Sequence, residues 1–226
     1  MQKSKYNSWD YSYQQGVGIN KWPFSNAITY LSRIQKSHYV HDVLELGFGT
    51  GPNIVISRDY KWKYTGIELS KQAYEIASKN LVLPNARLIN ADLTQVDLAE
   101  YGDFDLIYDR ATLTHLPCQE IRRTVEQIYN SLRIGGIFLG LDWFSSSYHE
   151  KKNGTVIRNM ECTRGDFKTG QFESFEITHF TDYQHIKDIF AKFTPLAIRH
   201  LEVTEHESMP SLPADPSVYN FVMQKI

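Results

Sequence analysis

Short apolar runs alternate with amphipathic segments along most of the chain. Five runs predict strands, at residues 40–46, 63–68, 87–90, 104–108 and 136–142. Apolar residues at helical spacing predict helices before and between these strands, at residues 24–34, 70–80 and 119–132. Because parallel strands need a crossover connection, this alternation predicts an α/β fold with a parallel sheet and helices on both faces.

The C-terminal third of the chain departs from this alternation. Residues 145–170 are polar and poor in periodic apolar positions, so we interpret this region as an inserted flap above the strand ends. Thr181 is expected to cap a helix that continues to Phe193. Two final strands are predicted at residues 196–203 and 218–224. The long proline-bearing connection between them has no helical pattern, which favours an antiparallel pair.

A glycine-rich turn follows the first predicted strand. Residues 43–53 read Val-Leu-Glu-Leu-Gly-Phe-Gly-Thr-Gly-Pro-Asn, and the alternating glycines would let the backbone approach a bound nucleoside closely. A dinucleotide-binding fingerprint has the spacing Gly-x-Gly-x-x-Gly, whereas Pro52 stands at the place of its third glycine. A nicotinamide-dependent dehydrogenase is therefore a distant alternative, and a plain structural turn is another.

The acidic residue followed by Gly-x-Gly-x-Gly resembles the first motif of the class I S-adenosylmethionine-dependent methyltransferases, and the likeness extends to about Asp142. The resemblance implies a Rossmann-like, doubly wound, mostly parallel seven-stranded sheet with a reversed C-terminal strand, in a three-layer α/β/α arrangement. It also implies S-adenosyl-L-methionine as cofactor. We expect one domain, whose parts are an N-terminal lid and helix (1–38), a cofactor-binding core (39–142), a flap (143–180), and a C-terminal helix with two antiparallel strands (181–226).

Candidate cofactor residues follow the predicted strands, where ligands bind in open α/β sheets. Glu68 can accept hydrogen bonds from both ribose hydroxyls, and a helix-capping carboxylate is the alternative. The resemblance places Asp92 against the adenine amine, although a turn-forming aspartate is also common. By the same resemblance Glu45 holds the glycine loop and the cofactor's amino group. The remaining expected contacts are Gly47, Phe48, Gly49, Gly51 and Asn53 of the loop, and Leu69 and Leu93 on the two faces of the adenine.

Candidate catalytic residues come after the fourth predicted strand, where methyl transfer takes place in this fold. Asp109 and Arg110 are expected beside the cofactor, with Asp109 also a cofactor contact, and a structural ion pair or helix cap is the alternative. His115 could accept a proton from an alcohol or amine, since the pKa of histidine is near neutral, while a scaffold role is its alternative. His149 and His179 are rival candidates for the base.

No metal is expected to take part. Asp109 and Asp142 fall where catechol-type methyltransferases hold magnesium, but Trp143 stands in the place of their asparagine, so the oxygen ligands are too few. Cys118 and Cys162, the only cysteines, also lack the spacing of metal ligands and are expected to be free thiols.

The aromatic leader is a candidate lid over the cofactor. Trp9, Tyr13 and Trp22 carry large faces that can lie against a sulfonium by cation–π attraction, and Tyr13 and Trp22 are expected cofactor contacts. Simple packing against the edge of the sheet is the alternative.

The overall charge narrows the choice of acceptor. The net charge of −2 provides no basic surface for a nucleic acid backbone, and neither a signal peptide nor a membrane-spanning run is evident, so we expect a cytoplasmic protein. The favoured function is methyl transfer to an oxygen or nitrogen of a small molecule, by a monomer or homodimer. The alternatives are a methyltransferase acting on protein or RNA, and a non-catalytic S-adenosylmethionine-binding partner.

Overall fold

A seven-stranded sheet forms the centre of the computed structural model, which describes residues 5–80, 83, 86–158, 160–204 and 216–226. The strands, in chain order, are β1 (Asp42–Leu46), β2 (Lys63–Glu68), β3 (Arg87–Asn90), β4 (Phe104–Arg110), β5 (Leu132–Phe144), β6 (Thr155–Ile157), β7 (Met160–Gly165), β8 (Ile177–His179), β9 (Thr194–Leu201) and β10 (Val218–Gln224). The large sheet has the order β3-β2-β1-β4-β5-β10-β9. Strands β1 to β5 are parallel, and β10 is antiparallel to both of its neighbours. The predicted fold, with its reversed C-terminal strand, is confirmed.

Helices cover both faces of this sheet. They are α1 (Lys5–Gln14), α2 (Ser25–Ser37), α3 (Ile54–Tyr60), α4 (Lys71–Asn80), α5 (Cys118–Ser131) and α6 (Tyr183–Ile189). Successive residues of a strand point to opposite faces. Leu44 of β1 accordingly packs in a core cluster with residues of α5 and α6, whereas Val43 packs in a second cluster with residues of α2. Because β1 to β5 are parallel, their carboxyl ends meet at one edge of the sheet.

The expected flap contains a small antiparallel sheet of its own. Its strands are β6, β7 and β8 in that order. Phe172 and Phe180 of this region are fully buried against Phe144 at the end of β5. The flap is therefore packed onto the carboxyl end of the central sheet by aromatic contacts.

Several element boundaries differ from the sequence prediction. Strand β5 begins at Leu132, four residues earlier than expected, because its first part pairs with the start of β4. The cap of α6 is Asp182, whose side chain accepts a hydrogen bond from the His185 amide at 2.9 Å, so the prediction of Thr181 was wrong. Helix α6 ends at Ile189 and not at Phe193, where the sequence predicted its end. The predicted connection before β10 lies mostly outside the described residues.

Within the part of the chain that the structure describes, no helix combines the length and the apolar character needed to cross a membrane.

Candidate active site

A cavity of about 740 Å³ opens at the carboxyl ends of the parallel strands. Its volume is in the range of small-molecule and cofactor sites. Most of the residues that the sequence analysis selected line this cavity, namely Tyr13, Glu45, Gly47, Phe48, Asn53, Glu68, Leu69, Asp92, Leu93, Arg110 and His115. Gly49, Gly51, Trp22 and Asp109 lie outside its lining. The structure therefore brings residues from α1, three strand ends and the loop after β4 around one space.

The glycine loop after β1 has a backbone that other residues rarely adopt. Gly47, Gly49 and Gly51 have φ angles of +71°, +56° and +81°. A Cβ atom on Gly47 would lie 2.0 Å from the Thr112 side-chain oxygen, so this loop contacts the loop after β4 too closely for any side chain. A Cβ on Gly49 would stand 3.1 Å from the Tyr13 hydroxyl. The loop thus offers bare backbone at one end of the cavity, as a nucleoside cofactor requires.

Glu45 is linked to the end of the glycine loop by a hydrogen bond from Asn53. Its carboxylate is buried and accepts hydrogen bonds from the hydroxyls of Tyr64 (2.5 Å) and Tyr108 (2.7 Å) and from the Asn53 side-chain amide (3.1 Å). Asn53 in turn accepts from the Phe24 amide. Burial raises the pKa of Glu45, while the three hydrogen bonds and the Arg110 charge oppose that rise. The two tyrosines were not foreseen, because nothing in strand periodicity marks a hydroxyl that reaches across to a neighbouring strand.

Glu68 lies at the end of β2, and backbone amides hold both of its carboxylate oxygens in place. One oxygen accepts from the Gly49 amide at 2.8 Å and the other from the Ser70 amide at 2.7 Å. Burial raises the pKa of Glu68 to about 7, against the lowering effect of these bonds. A carboxylate offers about four acceptor positions, so both oxygens retain capacity for two ribose hydroxyls. Ser70 caps α4 by accepting from the Ala73 amide, so the capping role is filled without Glu68.

The expected adenine contacts lie next to Glu68 along the cavity. Leu69, Asp92 and Leu93 all line it. One oxygen of Asp92 accepts from the amide and the hydroxyl of Thr94, each at 2.8 Å. Asp92 therefore shapes the turn after β3 and also faces the cavity, so its two sequence interpretations are compatible.

Helix α1 covers the cavity from the N-terminal side. Asp10 anchors it, because its carboxylate accepts from the Ser70 hydroxyl and from the Gln72 amide (3.1 Å) at the start of α4. Trp9 and Tyr13 line the cavity one helical turn apart. Trp22 is instead 73 % exposed on the loop after α1, so the structure does not bring it to the site. Asp10 was missed because an isolated aspartate in a polar leader carries no periodic signal.

The far end of the cavity is aromatic. The His115 ring lies 4.5 Å from the Phe175 ring and 5.2 Å from the Trp9 ring, measured between centroids. Its Nδ1 is 3.2 Å from the Ile177 carbonyl oxygen. A carbonyl only accepts, so Nδ1 carries the proton and Nε2 keeps its lone pair. Burial lowers the pKa of His115 to about 4, and the ring is neutral at physiological pH.

Asp109 and Arg110 have different surroundings. Asp109 is fully buried and accepts from the amides of Thr112 (2.9 Å) and Leu113 (3.0 Å) and from the Trp143 indole (2.7 Å). Burial raises its pKa to about 7. The structure thus places Asp109 as the acceptor that shapes the loop after β4, which is the structural alternative. Arg110 lines the cavity and forms an ion pair with Asp142 at 2.7 Å.

The rival histidines lie away from the cavity lining. His149 is exposed beside Tyr148. His179 is fully buried, and burial is the main cause that lowers its pKa to about 3. Its ring contacts Thr163 and His185. His115 is therefore the histidine nearest to the space where an acceptor would lie.

Comparisons with known proteins agree with this geometry. A family described as "Methyltransferase domain" matches residues 43–136. A comparison with curated proteins finds no match. Among solved structures, a SAM-dependent methyltransferase from Anabaena variabilis has a TM-score of 0.73 at 16 % identity, and covers 98 % of this chain and 93 % of its own. A second, from Methanosarcina mazei, has a TM-score of 0.68 at 18 % identity, with coverages of 86 % and 97 %.

A third similar structure is the N-methyltransferase NodS from Bradyrhizobium japonicum, in complex with S-adenosyl-L-homocysteine. It has a TM-score of 0.66 at 15 % identity, and covers 96 % of this chain and 98 % of its own. At these identities the structures establish the fold, while the family match adds the methyltransferase assignment. Residues 43–136 therefore carry a methyltransferase domain, and the fold around them is that of S-adenosylmethionine-dependent methyltransferases, with S-adenosylmethionine as cofactor.

Proposed function

We propose that this enzyme methylates an oxygen or nitrogen of a small-molecule acceptor, without a metal ion in the reaction. The observation that carries the proposal is the cavity of about 740 Å³, with carboxylates and glycine backbone at one end and aromatic side chains at the other. That volume suits a cofactor with a compact acceptor. A protein or RNA substrate would be expected to need an open, charged groove, whereas the net charge is −2.

The residues at the nucleoside end fit the cofactor. Glu68 would accept the ribose hydroxyls, Asp92 the adenine amine, and the Gly47 region would lie against the methionine part, with Glu45 beneath it. Bound S-adenosylmethionine supplies an electrophilic methyl group on a positively charged sulfur. The pKa values of Glu45 and Glu68 are raised by burial, and a bound cation would favour the ionised form of both carboxyls.

The protein contributes mainly alignment and exclusion of water. Trp9 and Phe175 close the aromatic end around His115, so an acceptor held there would be shielded from bulk solvent. Proximity and orientation of this kind can lower a barrier by roughly 7–11 kcal/mol. The Nε2 lone pair of neutral His115 is the group that would accept the acceptor's proton; burial lowers its pKa to about 4, so it is a weaker base than the near-neutral histidine that the sequence predicted. Arg110, held by Asp142, would orient a polar part of the acceptor.

The similar structure described as an N-methyltransferase supports nitrogen as one acceptor atom, because its fold extends over nearly the whole of this chain. It does not distinguish nitrogen from oxygen here, since both react in the same in-line geometry. The two acceptor types are therefore kept together in the proposal.

A labelling experiment tests the proposed acceptor class. Cell extract is separated into small molecules, protein and RNA, and each fraction is incubated with the enzyme and cofactor carrying a radiolabelled methyl group. We expect label in a small molecule, and none with the Glu68→Ala variant as control. Label only in protein or RNA would select the macromolecular alternative. Cofactor binding without transfer to any fraction would select the non-catalytic alternative.

A further inference from the structure

A cysteine and two histidines meet beside the cavity, although they come from three separate elements. Cys118 begins α5, His179 ends β8, and His185 lies in the first turn of α6. The Sγ atom of Cys118 and one nitrogen from each histidine all lie within 4.8 Å of one another. None of these residues has a place in the proposed reaction. The distances in sequence explain why cysteine spacing alone predicted no metal site.

The geometry of the two histidines suits a shared ion. Their Nε2 atoms are 3.0 Å apart. Two imidazole nitrogens on a tetrahedral zinc ion, each at about 2.0–2.1 Å, would be about 3.3 Å apart. On the other side of its ring, His179 Nδ1 lies 3.2 Å from the Thr163 hydroxyl. If Nδ1–H donates to that oxygen, the Nε2 lone pair faces the cluster, which is the usual arrangement of a metal-binding histidine.

The third ligand is a cysteine at the start of a helix. Cys118 is the first residue of the 14-residue helix α5, and it would bind the ion as a thiolate because metal coordination deprotonates a thiol. The charged groups that act on the two rings are Arg122 and Lys151 on the cationic side and Asp182 and Asp188 on the anionic side. The formal charges of these four groups cancel. A divalent ion bound to one thiolate would add a single positive charge to this region.

We propose that Cys118, His179 and His185 bind a zinc ion outside the methyl-transfer cavity. One thiolate and two imidazoles are ligands that zinc prefers, and they leave a fourth tetrahedral position for water. The ion joins α5 to β8 and α6. His115 precedes Cys118 by three residues, and its ring is hydrogen-bonded to the Ile177 carbonyl of β8. An ion that links α5 to β8 would therefore also hold His115 in place at the aromatic end of the cavity.

Cobalt titration of the full-length protein tests this site directly. Protein freed of metal by a chelator is titrated with Co²⁺, which takes the same ligands as zinc and absorbs visible light. We expect one equivalent to bind with a tetrahedral spectrum and a thiolate-to-cobalt charge-transfer band, and zinc to displace it. The Cys118→Ala and His185→Ala variants should each bind zinc at least tenfold more weakly. The Cys162→Ala variant, with the other cysteine removed, should bind as the unaltered protein does.

A second measurement needs no variant. Zinc should slow alkylation of Cys118 by iodoacetamide at least tenfold, measured by mass spectrometry, and should leave the rate at Cys162 unchanged. Equal alkylation of Cys118 with and without zinc would overturn the proposal. So would a cobalt spectrum without a thiolate band, or wild-type zinc affinity in the Cys118→Ala and His185→Ala variants. In those cases the two rings form only a neutral hydrogen-bonded pair.

Discussion

Cofactor affinity should depend on the protonation of Glu68. Burial holds the pKa of this carboxyl at about 7, and both of its oxygens already accept from backbone amides. A proton on either oxygen removes an acceptor that a ribose hydroxyl would use. Binding should therefore select the ionised form, and affinity should fall as the pH falls through 7. The sign follows because the free protein holds the proton more tightly than the complex does.

The magnitude can be worked out from that pKa. With a pKa of about 7 in the free protein and a value well below 6 in the complex, affinity at pH 6 is reduced about 11-fold from its high-pH limit. At pH 8 the reduction is only about 1.1-fold. The expected change is thus about tenfold, or about 1.4 kcal/mol. At pH 6.5, binding should release about 0.8 proton per site.

Isothermal titration calorimetry at pH 6, 7 and 8 gives the affinity, and heats in two buffers of different ionisation enthalpy give the proton release. Glu68→Gln is the informative variant. Its amide nitrogen must face one of two backbone donors, so affinity should fall by about 1–3 kcal/mol at every pH. The ligand's own titration is common to both proteins, so the difference between them isolates Glu68. Glu75→Gln, on the outer face of α4, serves as control.

An equal pH dependence in the wild type and in Glu68→Gln would refute the reasoning, because the linked proton would then belong to another group. Wild-type affinity of Glu68→Gln at all three pH values would remove Glu68 from the cofactor site altogether.

Further predictions separate structural residues from those that contact ligand. Asp109→Asn should lower the free energy of unfolding in urea by about 1–3 kcal/mol, because the buried Trp143 indole loses its acceptor. Cofactor affinity should change less than twofold. Weakened cofactor binding with unchanged stability would instead make Asp109 a cofactor contact. His115→Ala should lower the single-turnover rate at least tenfold. The wild-type rate should show no His115 titration above pH 5.5, since burial lowers the pKa of His115 to about 4. An unchanged rate in His115→Ala would mean that His115 has only a structural role. Trp9→Ala should raise KM for the acceptor severalfold, with Trp22→Ala as the unaffected control, and equal effects of both would contradict the assignment of the aromatic end.

The sequence predicted which carboxylates line the glycine-loop end of the cavity because their positions follow from strand order. Glu45, Glu68 and Asp92 each lie at or just after the end of an apolar run, and parallel strands bring such ends to one edge. The pattern of the runs placed these residues at one edge, and the resemblance to a family supplied the expected roles of Glu45 and Asp92. The glycine spacing then predicted bare backbone where φ is positive at Gly47 and Gly49.

The same reasoning could not assign Asp109, Trp22 or Thr181. A carboxylate after a strand has the same appearance whether it faces a ligand or a neighbouring indole, and the donor to Asp109 comes from Trp143 on the next strand. An aromatic residue in an aperiodic loop has no predictable direction, and Trp22 is exposed. Thr181 and Asp182 are adjacent residues that both cap helices well, so a shift of one residue in the helix start decides between them.

The two ends of the cavity are built differently, and α1 joins them. The cofactor end is formed at the ends of β1, β2 and β3, and its glycine loop lies against Thr112 at Gly47. The aromatic end combines side chains from α1, from the loop after β4 and from the flap, which are distant in sequence. Tyr13 beside Gly49 and Trp9 beside His115 lie four residues apart on the same face of α1. A cofactor that packs against Tyr13 therefore also holds Trp9 in place, so acceptor binding should depend on the cofactor even where the two ligands share no protein residue.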